Sequence, residues 1–186
     1  MSELGNHAEA LQNYLEGLKY VKNRNEGDEF SYILYDSYFQ EIGKTVEIAL
    51  KKPVSMGELG RDERATAGRH FSQGYSLFWD GEYEKALPYF DNAIAVVWQH
   101  PAYWYYRGLT HWKLSNEKHE EQALHKKRAA FNFLFGSQIE RNSVQRDMVQ
   151  AVTSTYLTRF QGRERMFLEQ IRWGDPTGLI QNEFMK

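Results

Sequence analysis

Apolar positions along this 186-residue chain recur at three- and four-residue intervals rather than in strict alternation. Within GEYEKALPYFDNAI and just beyond it, Tyr83, Ala86, Phe90, Ala93 and Val97 form one continuous stripe along a helix. Upstream, Phe71, Gly74, Leu77 and Phe78 form a stripe on a preceding helix, and Gly81 stands where that helix would stop and turn. Pro101 is placed to open a third helix at its first turn, running through AYWYYRGLTHWKL. The same periodicity predicts helices over 8–23, 28–50, 118–135, 143–160 and 162–173. The stretch PVSMGELGRD (53–62), with Pro53, Gly57 and Gly60, predicts the longest loop. No period-2 run lies between turn residues, so no strand is predicted. One local conflict stands out: Pro88 lies inside the predicted helix 82–97, where a proline removes a backbone donor and costs roughly 3 kcal/mol. Either that helix bends at Pro88 or it starts late.

The stripes also repeat. GNHAEALQNYLEGL (5–18) set beneath GEYEKALPYFDNAI (81–94) places Gly5 under Gly81, Ala10 under Ala86, Leu11 under Leu87 and Tyr14 under Phe90. HFSQGYSLFWDGE (70–82) aligns with WYYRGLTHWKLSN (104–116) at a 34-residue offset, with Gly74 over Gly108. Gly43, midway between Gly5 and Gly81, marks a poorly defined middle unit. These residues resemble the tetratricopeptide repeat, a helix–turn–helix unit of about 34 residues. Gly74, Gly81, Tyr83, Ala86, Phe90 and Ala93 fit its pattern in one unit, and Trp104, Gly108 and Leu114 fit it in the next. The similarity is strongest over 65–116 and fades from 117 onward. In such repeats alanines let a neighbouring helix approach closely while aromatics fill the gaps between stacked units, and a proline within the second helix is tolerated.

The resemblance implies an all-α fold, a helix–turn–helix repeat array or solenoid with capping helices, as a single domain over 1–186. Its parts would be N-terminal helices over 1–52, the clearest repeats over 61–135 and C-terminal capping helices over 140–174. Residues 1–18 would either cap the array or pair with the helix 28–50. The resemblance further implies a concave groove lined by the first helix of each unit: Phe71, Tyr75, Phe78 and Trp79, then Tyr105, Leu109, Trp112 and Lys113. Family members that clamp a C-terminal carboxylate carry Lys, Asn and Arg on this face, whereas this chain has only Lys113 there. An aromatic face suits an apolar peptide or an amphipathic helix of a partner protein, and burying one such ring is worth roughly 1.5–3 kcal/mol. Three uses of the face stay open: an open groove for another protein, occlusion by the chain's own C-terminal helices, and a contact between copies of the chain.

Composition narrows the function classes. Apolar residues make up 41% and aromatics 15%, too many for a disordered chain. Cysteine is absent, which excludes disulfides and thiolate metal sites and suits a reducing, cytoplasmic setting. No signal-peptide pattern opens the chain and no run of 18 apolar residues occurs, so no membrane span is predicted. Charge is uneven: residues 1–60 hold 10 acidic and 6 basic side chains, residues 125–172 hold 4 and 9. That asymmetry supports an alternative, nucleic-acid binding through HKKRAAFNF (125–133) with Arg141, Arg146, Arg159, Arg163, Arg165 and Arg172, beside Phe131, Phe133 and Trp173. Against it, the arginines scatter over several faces and Glu164 and Glu169 interrupt them, so nucleic acid ranks below protein as a partner.

Catalytic chemistry finds no constellation. His119 and His125 are six apart and face differently on a helix, while Glu121 and His125 share a face but supply only two ligands. GELG (57–60) is a turn rather than a phosphate cradle, and Ser76 in GYSLF lacks the second glycine of a nucleophile elbow. The sequence therefore predicts no catalytic residue, no metal and no cofactor, and a protein that acts by apolar complementarity.

Overall fold

Seven α-helices follow one another through the described residues: α1 Arg61–Trp79, α2 Tyr83–Val96, α3 Pro101–Glu117, α4 Gln122–Asn142, α5 Arg146–Leu157, α6 Gly162–Trp173 and α7 Pro176–Phe184, with a 3-10 turn at His119–Glu121 between α3 and α4. The computed structural model describes residues 51, 53–57 and 59–185. By its contacts the chain divides into Met1–Lys51 and Lys52–Lys186. The helices expected over 8–23 and 28–50, and the repeat matches at 5–18 and Gly43, lie outside the described residues. Among the described residues the fold is all-α, and the only strand-like pairing is a parallel bridge between Val54 and Ser143. There the Val54 N–H donates to Asn142 O and the Val144 N–H to Val54 O, each at 2.8 Å.

Local chemistry sets the helix ends. Asp62 and Glu63 place negative charge in the first turn of α1, and the Glu63 carboxylate accepts from the Gly60 N–H at 3.0 Å. After Trp79 the chain turns at Gly81, whose φ of 81° is a left-handed conformation that side chains with a Cβ avoid. The N–H groups of Asp80, Gly81 and Glu82 donate to the carbonyls of Ser76, Phe78 and Leu77, closing α1 and sending α2 back antiparallel. The helix starts at Tyr83 and runs through Pro88 without a break. The proline removes the donor that would reach the Glu84 carbonyl. His100 caps α3, its Nδ1 accepting from the Ala102 N–H at 3.3 Å, with Pro101 at the first helical position. Asp175 and Pro176 do the same for α7. That helix was not expected from the sequence, although its Asp-Pro start was visible there.

Packing follows chain order. Helix α1 packs on α2, α2 on α3 and α3 on α4, while α4 also receives α5, α6 and α7. Two glycine-to-aromatic contacts hold the hairpins close. A Cβ on Gly74 would lie 2.7 Å from Phe90 Cε1, and one on Gly108 would lie 3.1 Å from Phe133 Cε1. The Gly136 position of α4 reciprocates against Tyr105 and Trp104 of α3. As the contact on α3 moves three residues back, from Gly108 to Tyr105, its partner on α4 moves three forward, from Phe133 to Gly136. That is an antiparallel register. At the centre, α3 is enclosed all round: every residue from Pro101 to Trp112 is buried, as are Leu114 and Ser115.

Boundaries shift where tertiary contacts intervene. The helix expected over 118–135 begins four residues later, after the 3-10 turn, and continues to Asn142. The helix expected over 143–160 is shorter, because Val144 is tied to Val54 and Phe160 follows the end of α5. The helix expected over 162–173 spans those residues.

Candidate functional site

The aromatic side chains of α1 do share one side of that helix, and the structure shows what lies against it. Phe71, 2% exposed, lies tilted at 4.8 Å from Tyr103 and edge-to-face at 5.3 Å from Tyr106 of α3 and 4.9 Å from Tyr156 of α5. Tyr75 lies 5.3 Å from Tyr106. Phe78 meets Tyr83, Tyr106 and Phe160, and Trp79 lies 4.7 Å from Phe160. The Trp79 indole N–H donates to the Tyr106 hydroxyl at 3.3 Å, that hydroxyl donates to the Tyr156 carbonyl, and the Arg159 guanidinium sits 4.4 Å over the Trp79 ring. The rings that complete this cluster from α3 are Tyr103 and Tyr106, which the sequence reading did not single out. A helix buried all round carries no periodic signal to choose between its faces.

Tyr105, Leu109, Trp112 and Lys113 have different neighbours. Tyr105 and Leu109 are fully buried. Tyr105 faces α4, where its hydroxyl donates to Glu140 Oε2 at 2.6 Å. Trp112 is enclosed by Phe133, Phe167 and Phe184, with ring centroids 6.2, 5.0 and 5.3 Å away. Lys113 pairs with Glu164 of α6. The residues expected to line one groove therefore fall into two clusters, and Phe71, Phe78, Trp79, Trp112 and Lys113 among them meet the chain's own C-terminal segment. The helix α5 and its end supply Tyr156 and Phe160 to one cluster, and α6 and α7 supply Phe167 and Phe184 to the other. Those contacts with Tyr156, Phe160, Phe167 and Phe184 are of the kind that occlusion by the C-terminal helices would make.

A buried ionic network fastens that segment. Glu140 of α4, 2% exposed, accepts from Arg172 of α6 through contacts of 2.7 to 3.2 Å and from the Tyr105 hydroxyl. Arg172 also donates to the Gln150 carbonyl and the Ser154 hydroxyl of α5, each at 3.0 Å. Four helices thus meet at one carboxylate–guanidinium pair. Burial and the neighbouring Glu140 charge push the Tyr105 phenol well above its usual range, and burial does the same to Tyr103 and Tyr106. These phenols stay protonated and serve as hydrogen-bond donors and packing surfaces.

The arginines of 141–172 also make contacts within the chain. Arg141 donates to the carbonyls of Ile171 and Gly174, and Arg146 to that of Arg141. Arg163 pairs with Glu183, Arg165 with Glu169 and Arg172 with Glu140. Phe133 is buried and Phe131 packs on Phe135 at 4.4 Å. Among the described residues no group of three or more His, Asp or Glu side chains gathers as a metal site, and no helix is long and apolar enough to cross a membrane.

Exposed apolar side chains lie elsewhere. Val144 just before α5, Met148 and Val152 on α5, and Met166 and Trp173 on α6 are exposed. A cavity of about 120 Å³ opens beside the first group, lined by Met56, Arg64, His100, Met148, Val149 and Val152.

Over the described residues, fold and site together define an all-helical unit whose aromatic interior is packed against its own C-terminal helices. Compared with family models, curated proteins and solved structures, it matches none.

Proposed function

We propose that the chain is a non-catalytic adaptor built as a tetratricopeptide-like helical repeat, holding an amphipathic helix of a partner protein on the aromatic side of α1 and α3. One observation carries this reading: the occupant of that side is itself a helical segment, seated through Tyr156, Phe160, Phe167 and Phe184. What the surface accepts from its own chain suggests the chemistry it would accept from another, helical segments that carry aromatic anchors. The repeat reading is supported by the matching contacts of Gly74 with Phe90 and Gly108 with Phe133, and by helices that pack chiefly on their neighbours in sequence. The cysteine-free composition suits the cytoplasm as its place of work.

The self-occluded state sets the terms of binding. A partner competes with a tethered segment whose effective concentration is about millimolar, so its apparent affinity falls in proportion to the fraction of molecules with the side open. Phe160→Ala weakens the intramolecular occupant without altering the accepting helices. In quantitative cross-linking from native extract, the folded Phe160→Ala protein should retain at least threefold more of a saturable protein partner than wild type, an order-of-magnitude expectation. Adding Trp79→Ala should abolish that gain. Equal capture by all three proteins, each checked by circular dichroism, would overturn the reading. Capture that disappears with nuclease would move the function to nucleic acid.

A further inference from the structure

The junction between α3 and α4 holds a cluster of ionisable side chains that the reading above does not use. His111 and His125 meet through their Nδ1 atoms at 3.0 Å, with ring centroids 5.2 Å apart, and both are buried, at 0% and 4% exposure. Around them stand Arg107 one turn earlier on α3, Arg128 one turn later on α4, and Lys118 and Glu121 at the intervening turn. From α2, Asp91 binds Arg107 at 2.8 Å and Glu84 pairs with Lys118. The Glu121 carboxylate lies 3.2 Å from His125 Nε2, close enough to attract but not aligned as a hydrogen bond.

Geometry limits how many protons this pair can hold. At 3.0 Å one Nδ1 must donate and the other accept, so the closed pair carries a single proton between its facing nitrogens. A second proton there would set two N–H groups against each other. The accepting ring already carries its proton on Nε2, so a further proton goes to the donating ring's Nε2 and adds positive charge beside Arg107, Arg128 and Lys118, with Glu121 the nearest carboxylate on the junction itself. Burial and those cations hold both imidazoles below the usual histidine range. Once the junction parts, each ring regains water and can take up its own proton.

We propose that the His111–His125 contact is an acid-operated joint: it holds α3 against α4 while both imidazoles are neutral, and proton uptake by the pair opens the junction from Arg107 to Arg128. Trp112 within this stretch and Phe133 just beyond it seat Phe167 and Phe184. Opening therefore loosens the C-terminal segment as well. The inference stands independently of the adaptor reading, since it rests on the joint alone.

The test is native-state hydrogen exchange on the full chain between pH 7.5 and pH 5, corrected for intrinsic exchange. A His100→Asn background removes the other buried titrating histidine while keeping a capping side chain. Uptake of two protons makes the opening constant of amides in 107–128 rise by up to about a hundredfold per pH unit below about 6.5. His125→Asn keeps a neutral amide near the Nδ1 position and leaves one titrating ring, so the slope should drop to at most about tenfold per unit. If His125→Asn does not fold, nitrogen-15 imidazole spectra of the parent protein decide: the two rings should titrate together with the loss of protection. Protection in 107–128 unchanged from pH 7.5 to 5 would overturn the proposal. So would loss spread evenly over 61–185, an unaltered slope in His125→Asn, or rings that titrate with the junction still protected.

Discussion

Glu140 offers the sharpest test of how the C-terminal helices are held. Glu140→Leu removes the carboxylate that binds Arg172 and the Tyr105 hydroxyl, leaving a guanidinium whose side chain is only 6% exposed without its counter-charge. Breaking a buried pair by removing one partner costs about 3–5 kcal/mol, and stranding a buried hydroxyl adds about 1–3 kcal/mol. Both groups share one acceptor, so the two costs overlap and the change should destabilise by about 4 kcal/mol. The triple change Tyr105→Phe, Glu140→Leu and Arg172→Met removes all three polar groups at similar volume, and should return to within about 1.5 kcal/mol of wild type. Urea unfolding followed by tryptophan fluorescence reads this directly, because all five tryptophans lie between Trp79 and Trp173. A single-variant cost below about 1 kcal/mol, or a triple variant as unstable as the single one, would refute the reasoning.

The remaining expectations are more local. Gly74→Ala drives a methyl to 2.7 Å from Phe90 Cε1 and should cost about 1–3 kcal/mol, whereas Gly68→Ala in the same helix meets nothing within 4 Å and should gain about 0.5–1 kcal/mol; parallel urea melts compare them. Burial lowers the His100 pKa from 6.5 to about 4, so the ring stays neutral in the folded chain. Its contribution is intact above pH 6.5 and is lost as pH falls toward 4, where the unfolded chain binds the proton more readily, by up to about 3 kcal/mol. His100→Asn retains a strong capping residue and should flatten that acid limb, as stability measured at pH 7 and pH 4.5 will reveal. Gly81→Ala forces a Cβ residue to a φ of 81° and should cost about 1–2 kcal/mol, read as a lowered thermal midpoint.

Much of the helical frame was legible because it rests on local rules. In the stripe from Tyr83 to Val97, Ala86, Phe90, Ala93 and Val97 are buried and Tyr83 is half-buried, and Gly74 and Gly108 sit where aromatics of the next helix press close. What remained hidden depends on position in three dimensions. Helix α3 has no polar face to set a period, so Tyr105 and Tyr106 could not be assigned to opposite neighbours from their spacing. Glu140 and Arg172 are 32 residues apart and read individually as ordinary surface charges. His125 was weighed against His119, its neighbour in sequence, while its partner in space is His111 on another helix. The short helix α7 carried a start signal but too little length to show a period.

The Tyr156–Phe160 and Phe167–Phe184 contacts also bear on how the protein is made. Translation delivers α1 to α4 before the helices that cover them. The roughly 45 residues from Arg141 to Met185 take about 2–9 s at 5–20 residues per second. During that interval Phe71, Trp79, Trp112 and Phe133 lack their lids, so the nascent chain presents its stickiest surface to its surroundings. Speed of elongation past Arg141, and any chaperone that greets aromatic side chains, would then govern the yield of native protein as strongly as the stability of the finished fold.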